Sequence, residues 1–363
     1  MKRILWITII QIFLMIAFAF DVNAAERRGF YSSVRCEAMG GACLAVVNDE
    51  TALIVNPSAL GKLRDFYGTI IDPEVEMNQA ALSAFSANNY TNPFNLSGVK
   101  DYLNQNRDQY YHAKGQIFPS LVMRNFGIGL YNNYLLDAQM SSDGSTIDTY
   151  YRSDLALVLG FNFRLFDGRV KIGFNSKLID RIETDNRTLS SVGSMEYSQI
   201  ANSGVGLSND LALMLSAPWT YLPTLTAVLH DVGGTSFNQM DSFRQSSATS
   251  NRPNLVKQDL DVGAALFPIH TNYLRSAWTV EYRGLLTSGD EEDKAKLIHG
   301  GFEMNFGDVF FVRAGYNQRY WTAGLEIASE RWQWQFASYG EEIGTSTAPK
   351  EDRRYNTKFS FRF

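Results

Sequence analysis

The chain has 363 residues and a formal net charge of −5; it is 45% apolar and 13% aromatic, with 24 Phe, 18 Tyr and 28 Gly against only 9 Pro. That apolar fraction excludes a disordered chain, and the lack of a basic excess argues against nucleic acid as a partner. Many aromatics and glycines with few prolines suit a large antiparallel β protein, and no Pro- or Ser-rich linker divides the chain.

Lys2 and Arg3 precede an apolar stretch from Ile4 to Phe20, and Val22-Asn23-Ala24 supplies small residues at a cleavage position, so residues 1–25 read as a secretory signal peptide. The stretch lies at the short end of the about 17–25 residues that span a bilayer, which disfavours an uncleaved anchor. No later run is apolar for that length, so membrane helices are not expected.

Residues 26–65 read as a small N-terminal unit ahead of the strands. Cys36 and Cys43 lie within it; in an oxidising compartment they can pair across a small loop, or stand as two small buried thiols. Neither a second cysteine pair nor a nearby His completes a metal set, and no cofactor is expected. Gly40 and Gly41 permit positive φ or close backbone approach, and Pro57 locks its own φ and biases Asn56 to an extended form, so Asn56-Pro57-Ser58 reads as a fixed turn.

From residue 66 the pattern has a period of two. Leu155, Leu157, Leu159, Phe161, Phe163 and Leu165 share one face, with Asp154, Ala156, Gly160, Asn162 and Arg164 on the other; Trp332, Trp334 and Phe336 oppose Arg331, Gln333 and Gln335 in the same way. Strands are placed at about 66–85, 115–123, 126–140, 147–166, 169–182, 203–214, 224–230, 258–267, 275–287, 296–306, 308–316, 320–329, 331–338 and 355–363, fourteen in all. Alternation alone also fits a soluble sandwich, but the connections decide. Tight turns at Arg124-Asn125, Asp167-Gly168, Gly307 and Ser329-Glu330 alternate with mostly long polar segments such as 86–114, 183–202 and 231–257, the sorting found in transmembrane β-barrels. An even count favours one long first strand with a bulge at Pro73 rather than a turn at Asp72-Pro73. Within 86–114, Ser97 offers an N-cap to a short helix expected to lie over the barrel mouth.

The C-terminal "YNTKFSFRF" sets Phe359, Phe361 and Phe363 against Lys358, Ser360 and Arg362, aromatics to lipid and charges to the lumen. The fold class is therefore an all-β transmembrane antiparallel β-barrel, residues 66–363. No nucleophile elbow, HExxH, P-loop or dinucleotide fingerprint occurs and the four histidines are scattered, so no enzymatic activity is expected. The lumen face carries both signs of charge: Lys171, Lys177, Glu281, Arg283, Glu303, Arg313, Glu326, Lys358 and Arg362. Fourteen strands enclose more space than such side chains fill alone, so something must narrow the lumen.

Met39-Gly40-Gly41-Ala42, Ala45-Val46-Val47-Asn48-Asp49 and Asn56-Pro57-Ser58 resemble the N-terminal signature of the FadL/TodX superfamily of outer-membrane channels, including its PorV-like branch. Ser58 stands where the family usually has Ala, and the cysteines depart from the pattern. The resemblance implies that residues 26–65 form a hatch inside the lumen, with Gly40, Gly41, Asn56, Pro57 and Ser58 in gating positions. It implies a location in the bacterial outer membrane, among outer-membrane lipid, and passive uptake of hydrophobic small-molecule ligands such as long-chain fatty acids. The terminal aromatics resemble the signal read by the barrel-assembly machinery. The alternative implied by the PorV-like branch is a scaffold or shuttle for secretion-system proteins.

Overall fold

A computed structural model describes residues 26–86, 92–191, 200–245 and 251–363. The signal-peptide reading falls on residues outside these. The strand segments form one closed antiparallel sheet. Tyr67–Ile71 and Glu74–Asn78 both bond to the last strand, Glu351–Arg362, and so constitute one interrupted strand, β1. Tyr110–Ile117 and Ser120–Met123 both bond to Phe126–Met140 and constitute β2, with β3 beside it. The others are β4 (Thr146–Leu165), β5 (Val170–Leu189), β6 (Asn202–Ser216), β7 (Thr224–His230), β8 (Asp259–Leu266), β9 (Leu274–Tyr282), β10 (Ile298–Phe306), β11 (Phe310–Asn317), β12 (Tyr320–Ala328), β13 (Trp332–Glu342) and β14 (Glu351–Arg362). The fourteen strands pair in chain order and the β1–β14 ladder closes the barrel.

The interruption of β1 falls at Asp72-Pro73, where the sequence placed a bulge, and a register shift sits between Thr69 and Ile71. Pro73 has no N–H, but its carbonyl accepts from Phe359 N at 3.1 Å. A second interruption, at Phe118-Pro119, lies in the neighbouring strand, and the Asp72 carboxylate accepts from Phe118 N at 2.6 Å, replacing a ladder bond with a side-chain one.

One rim carries tight turns that rest on left-handed residues such as Asn125 (φ 69°) and Gly307 (φ 65°), and the chain end lies on the same side. The long loops gather at the other rim, which identifies the first as periplasmic and the second as extracellular. The outward face is an apolar band including Leu157, Phe161, Leu211, Trp334 and Phe359, all exposed, with Phe166, Trp219 and Tyr273 at the periplasmic edge. A closed sheet with that exterior leaves no backbone group unpaired in hydrocarbon and is a membrane-spanning barrel of the outer-membrane type.

The first external loop corrects three expectations. β1 ends at Asn78, and the Ala-rich 79–86 continues as helix α3 (Gln79–Ser86) rather than strand. A second helix, α4 (Leu96–Gln105), is capped by Asn95, whose side chain accepts from Gly98 N at 3.3 Å, so Ser97 is inside the helix and not its cap. It does not cover the mouth. Leu96, Val99 and Leu103 pack on Tyr111, Leu136, Met140 and Ile147. Those wall residues alternate with lumen-facing His112 and Asp137 and so line the outer face of β2–β4. The loop between β7 and β8 instead continues the wall, Val205 of β6 exchanging backbone bonds with Met240 and Gln239 at 3.0 and 3.1 Å.

Candidate functional site: the plugged lumen

Residues 26–63 run through the barrel interior as a compact hatch. A helix, α1 (Val34–Ala38), starts at Ser33, whose hydroxyl accepts from Cys36 N; a turn later Cys43 closes onto Cys36 in a disulfide. The single turn α2 (Ala52–Val55) precedes Asn56, and a 3-10 turn, Pro57–Lys62, follows it. Asn56 is fully buried. Its Oδ1 accepts from Ser58 N at 3.1 Å and its Nδ2 donates to Leu44 O at 2.8 Å and Thr226 Oγ1 at 2.9 Å. One amide thus fixes the turn, ties the two halves of the hatch together and anchors both to β7.

Bonds from the wall reach the hatch on nearly all sides. Asn175 of β5 donates to Leu53 O and Asn162 of β4 to Ser58 O, both at 3.0 Å. Gly40 N donates to Thr322 of β12 at 3.0 Å, and Gly40 O lies 2.9 Å from His299 Nδ1 of β10. Asn356 of β14 donates to Glu37 at 2.6 Å. In places no side chain intervenes. A Cβ added to Gly173 of β5 would stand 2.1 Å from Pro57 C, and one added to Gly315 of β11 would stand 2.3 Å from Gly40 N. There the hatch meets the wall backbone to backbone, which only glycine allows.

The charges pair. Arg35 of α1 makes a bidentate contact with Glu303 at 2.9 Å to both oxygens; Glu303 also receives Arg313 at 2.7 Å, and Arg313 continues to Glu326, which Gln335 holds at 2.9 Å. Glu50 receives Arg362 at 2.8 Å, and Glu281 receives the backbone N–H of Leu44. Burial would push the Glu26 carboxyl up, but the Arg354 guanidinium, bonded at 2.8 Å to each oxygen, holds it well below the usual carboxylate range. Asp49 is likewise held low against burial by Arg35.

The hatch divides the lumen. Above it, facing the extracellular loops, is a cavity of about 590 Å³ with Phe30, Leu44, Ile54, Val55 and Ile179 among its apolar lining and basic and acidic side chains in equal number around them. Beneath it is a vestibule of about 700 Å³ that opens at the periplasmic rim.

Of the residues singled out in the sequence, Gly40 (φ 66°) and Gly41 (φ 83°) occupy left-handed conformations against β10 and β11. Asn56, Pro57 and Ser58 form the turn against β4, β5 and β7, and Glu281, Glu303, Arg313 and Glu326 are buried in the lumen around the hatch. Arg283 lies just beyond the end of β9 and donates to Gly41 O. Phe359, Phe361 and Phe363 are remote from the site, on the outer face, where Phe363 N donates to Gly68 O at 3.1 Å. One cluster escaped the sequence reading. His112 bridges Asp137 (2.6 Å) and Glu76 (2.8 Å), with Arg28 on Asp137 and Lys114 on Glu76. Its signal was available, since Glu74-Glu76 and His112-Lys114-Gln116 each place polar groups at a spacing of two.

No sequence family matches the chain, and no curated protein matches it in sequence. Its fold is that of TodX: a crystal structure of this Pseudomonas putida toluene transporter aligns over 94% of this chain and 99% of its own, with a TM-score of 0.55 at 13% identity. The deltaS2 mutant of the TodX monoaromatic hydrocarbon channel aligns over the same shares with a TM-score of 0.55 at 12% identity. The likeness that the sequence shows between Met39 and Ser58 is joined by a likeness of fold over nearly the whole chain.

Proposed function

We propose that the protein is a hatch-gated channel of the bacterial outer membrane for small hydrophobic molecules, with long-chain fatty acids as its representative cargo. The observation that carries this reading is the 590 Å³ cavity between the hatch and the extracellular loops, separated by the hatch from the vestibule below. Its apolar floor of Phe30, Ile54 and Val55 suits an alkyl or aromatic body, and the surrounding ionic groups suit a polar head. The wall bonds at Gly40 and Ser58 would have to break for cargo to pass, which makes the hatch the gate. The test combines ligand binding with conductance. Purified protein should bind a long-chain fatty acid in competition with a long-chain detergent, and deletion of residues 37–60 should raise nonspecific conductance in planar bilayers. Unchanged conductance after the deletion would remove the gate from the mechanism.

A second reading is a secretion scaffold. It is favoured by the number of directions from which the wall bonds the hatch, as a permanent seal would require, and by the helices α3 and α4 on the outer wall. It predicts co-purification with secreted proteins and no uptake of fatty acid by cells expressing the barrel.

A further inference from the structure

We propose that the periplasmic vestibule is a binding site for multiply charged anions bearing phosphate groups. Eight basic residues line it against three acidic ones, Asp167, Glu303 and Asp308. Arg35 is committed to Glu303 and Asp49, and Arg275 lies 3.6 Å from Asp308. The remaining six, Lys62, Arg64, Arg124, Arg164, Arg169 and Lys171, have no carboxylate within 4.0 Å among the described residues.

The contrast with the rest of the lumen lies on a single pair of strands. In the β4–β5 ladder, Arg152 faces Glu183 and Asp154 faces Arg181, each cation set across from an anion. At the periplasmic end of the same ladder Arg164 faces Lys171. Like charges directly opposite are destabilising, and two strands that complement charge elsewhere leave it uncompensated here. Lys171 donates only to Gly168 O, at 2.6 Å. The hatch adds to the same side of the balance. Lys62 forms part of the vestibule roof, and its ammonium meets only neutral partners, the carbonyls of Ala45 (3.0 Å) and Val46 (3.3 Å) and the Phe267 ring, 5.2 Å to its centroid. Arg124 spends one donor on Leu63 O at 3.0 Å.

An anion seated between Lys62 above and Arg164 and Lys171 at the side would supply the missing charge and link the hatch to the wall. The reading does not depend on what the channel carries. Several guanidinium groups around one cavity favour planar, multidentate recognition of phosphate oxygens over a single point charge. The source of the phosphate is either a soluble periplasmic anion or the headgroup of an inner-leaflet lipid.

Calorimetric titration of the full-length protein in neutral detergent with pyrophosphate, at low ionic strength, tests the site. Saturable binding at one site is expected, weakening steeply with added salt. The double variant R164Q/K171Q should weaken it at least about tenfold, while K257Q on the extracellular surface should leave it unchanged. If R164Q/K171Q does not fold, R64Q/R169Q at exposed positions reports on the same cluster. Repeating the titration in nanodiscs of anionic and of zwitterionic phospholipid separates the sources: competition by the anionic lipid assigns the site to a headgroup, and its absence assigns it to a soluble anion. The proposal is overturned if the wild type binds no pyrophosphate and anionic lipid stabilises it no more than zwitterionic lipid, if both double variants bind like wild type, or if K257Q loses as much as they do.

Discussion

Gly173 is the position where the fit between hatch and wall can be tested with one methyl group. It lies on the lumen face of β5, across from Asn162, and a Cβ there would stand 2.1 Å from both Pro57 C and Ser58 N. These are backbone atoms of a turn fixed by Asn56, so no flexible side-chain end can yield. Restoring ordinary contact at 3.4 Å requires the turn to retreat by about 1.3 Å. That displacement pulls Ser58 O away from Asn162 Nδ2, now at 3.0 Å, beyond hydrogen-bonding range. Overpacking costs about 1–3 kcal/mol, and leaving a buried carbonyl unpaired about 1–3 kcal/mol more. A central value of about 4 kcal/mol shifts the balance toward a displaced hatch by close to a thousandfold. The assay is single-channel recording in planar bilayers together with thermal unfolding of G173A, with G289A as control because a Cβ at Gly289 meets open space. Higher background conductance and a lower unfolding temperature are expected of G173A alone. In a chain lacking residues 37–60 the same substitution should cost nothing, since its partner is gone. If G173A matches G289A in both conductance and stability, the hatch is not held against β5 and the reasoning fails.

Replacing Glu303 by Gln leaves Arg35 and Arg313 buried without their shared carboxylate, and should destabilise the barrel by about 3–5 kcal/mol in thermal or denaturant unfolding. Replacing both Cys36 and Cys43 by Ser opens a small loop and should cost about 2–2.5 kcal/mol on chain-entropy grounds, a difference that disappears when both proteins are unfolded in reductant. Lys62 should give a pH signature. Burial, then Arg35 and Lys171, push its ammonium down to about 7 against the opposing pull of Asp49 and Glu303. Because the folded value lies below the unfolded one, folding expels the proton; the resulting penalty grows as pH falls below the unfolded value and is complete below about 7. Lys62→Met should therefore stabilise the protein more at about pH 6 than at about pH 10, and an equal effect at both would contradict the assignment.

The barrel was legible because each strand must satisfy two solvents. Leu157 and Phe161 face lipid while Asp154 and Asn162 face the lumen, and that requirement writes a period of two into the chain. Pro73 was legible for a related reason: a residue without an N–H can sit in a continuous ladder only at an irregularity. The matching break at Pro119 carries the same signal, although the alternation in the sequence marks the strand only from 115, whereas it starts at Tyr110. Helix α3 was missed because Ala80, Leu82 and Ala84 continue an apparent alternation, although the alanine content favours helix. The docking of α4 on the outer wall was not legible at all. It depends on β3–β5 extending past the bilayer, so that Leu136 and Ile147 face outward with no lipid to cover them.

The hatch sequence takes its meaning from the two places where its backbone meets the wall. At one end Ala38, Met39 and Gly40 lie against Gly324, Gly301 and Gly315 of β10–β12; at the other Pro57 and Ser58 lie against Gly173 of β5. In the ring of fourteen strands β5 and β11 are six apart, close to opposite sides. The small residues of "MGGA" and the fixed turn of "NPS" are thus the two contact points of one wedge. The Cys36–Cys43 disulfide and the Asn56 bond to Leu44 O make that wedge a single body between them. A push at either contact should then move both. That is why a methyl group at Gly173 should register at Thr322, across the lumen, as loss of its bond to Gly40 N, and why a hatch that opens would have to leave both sides together rather than swing about one.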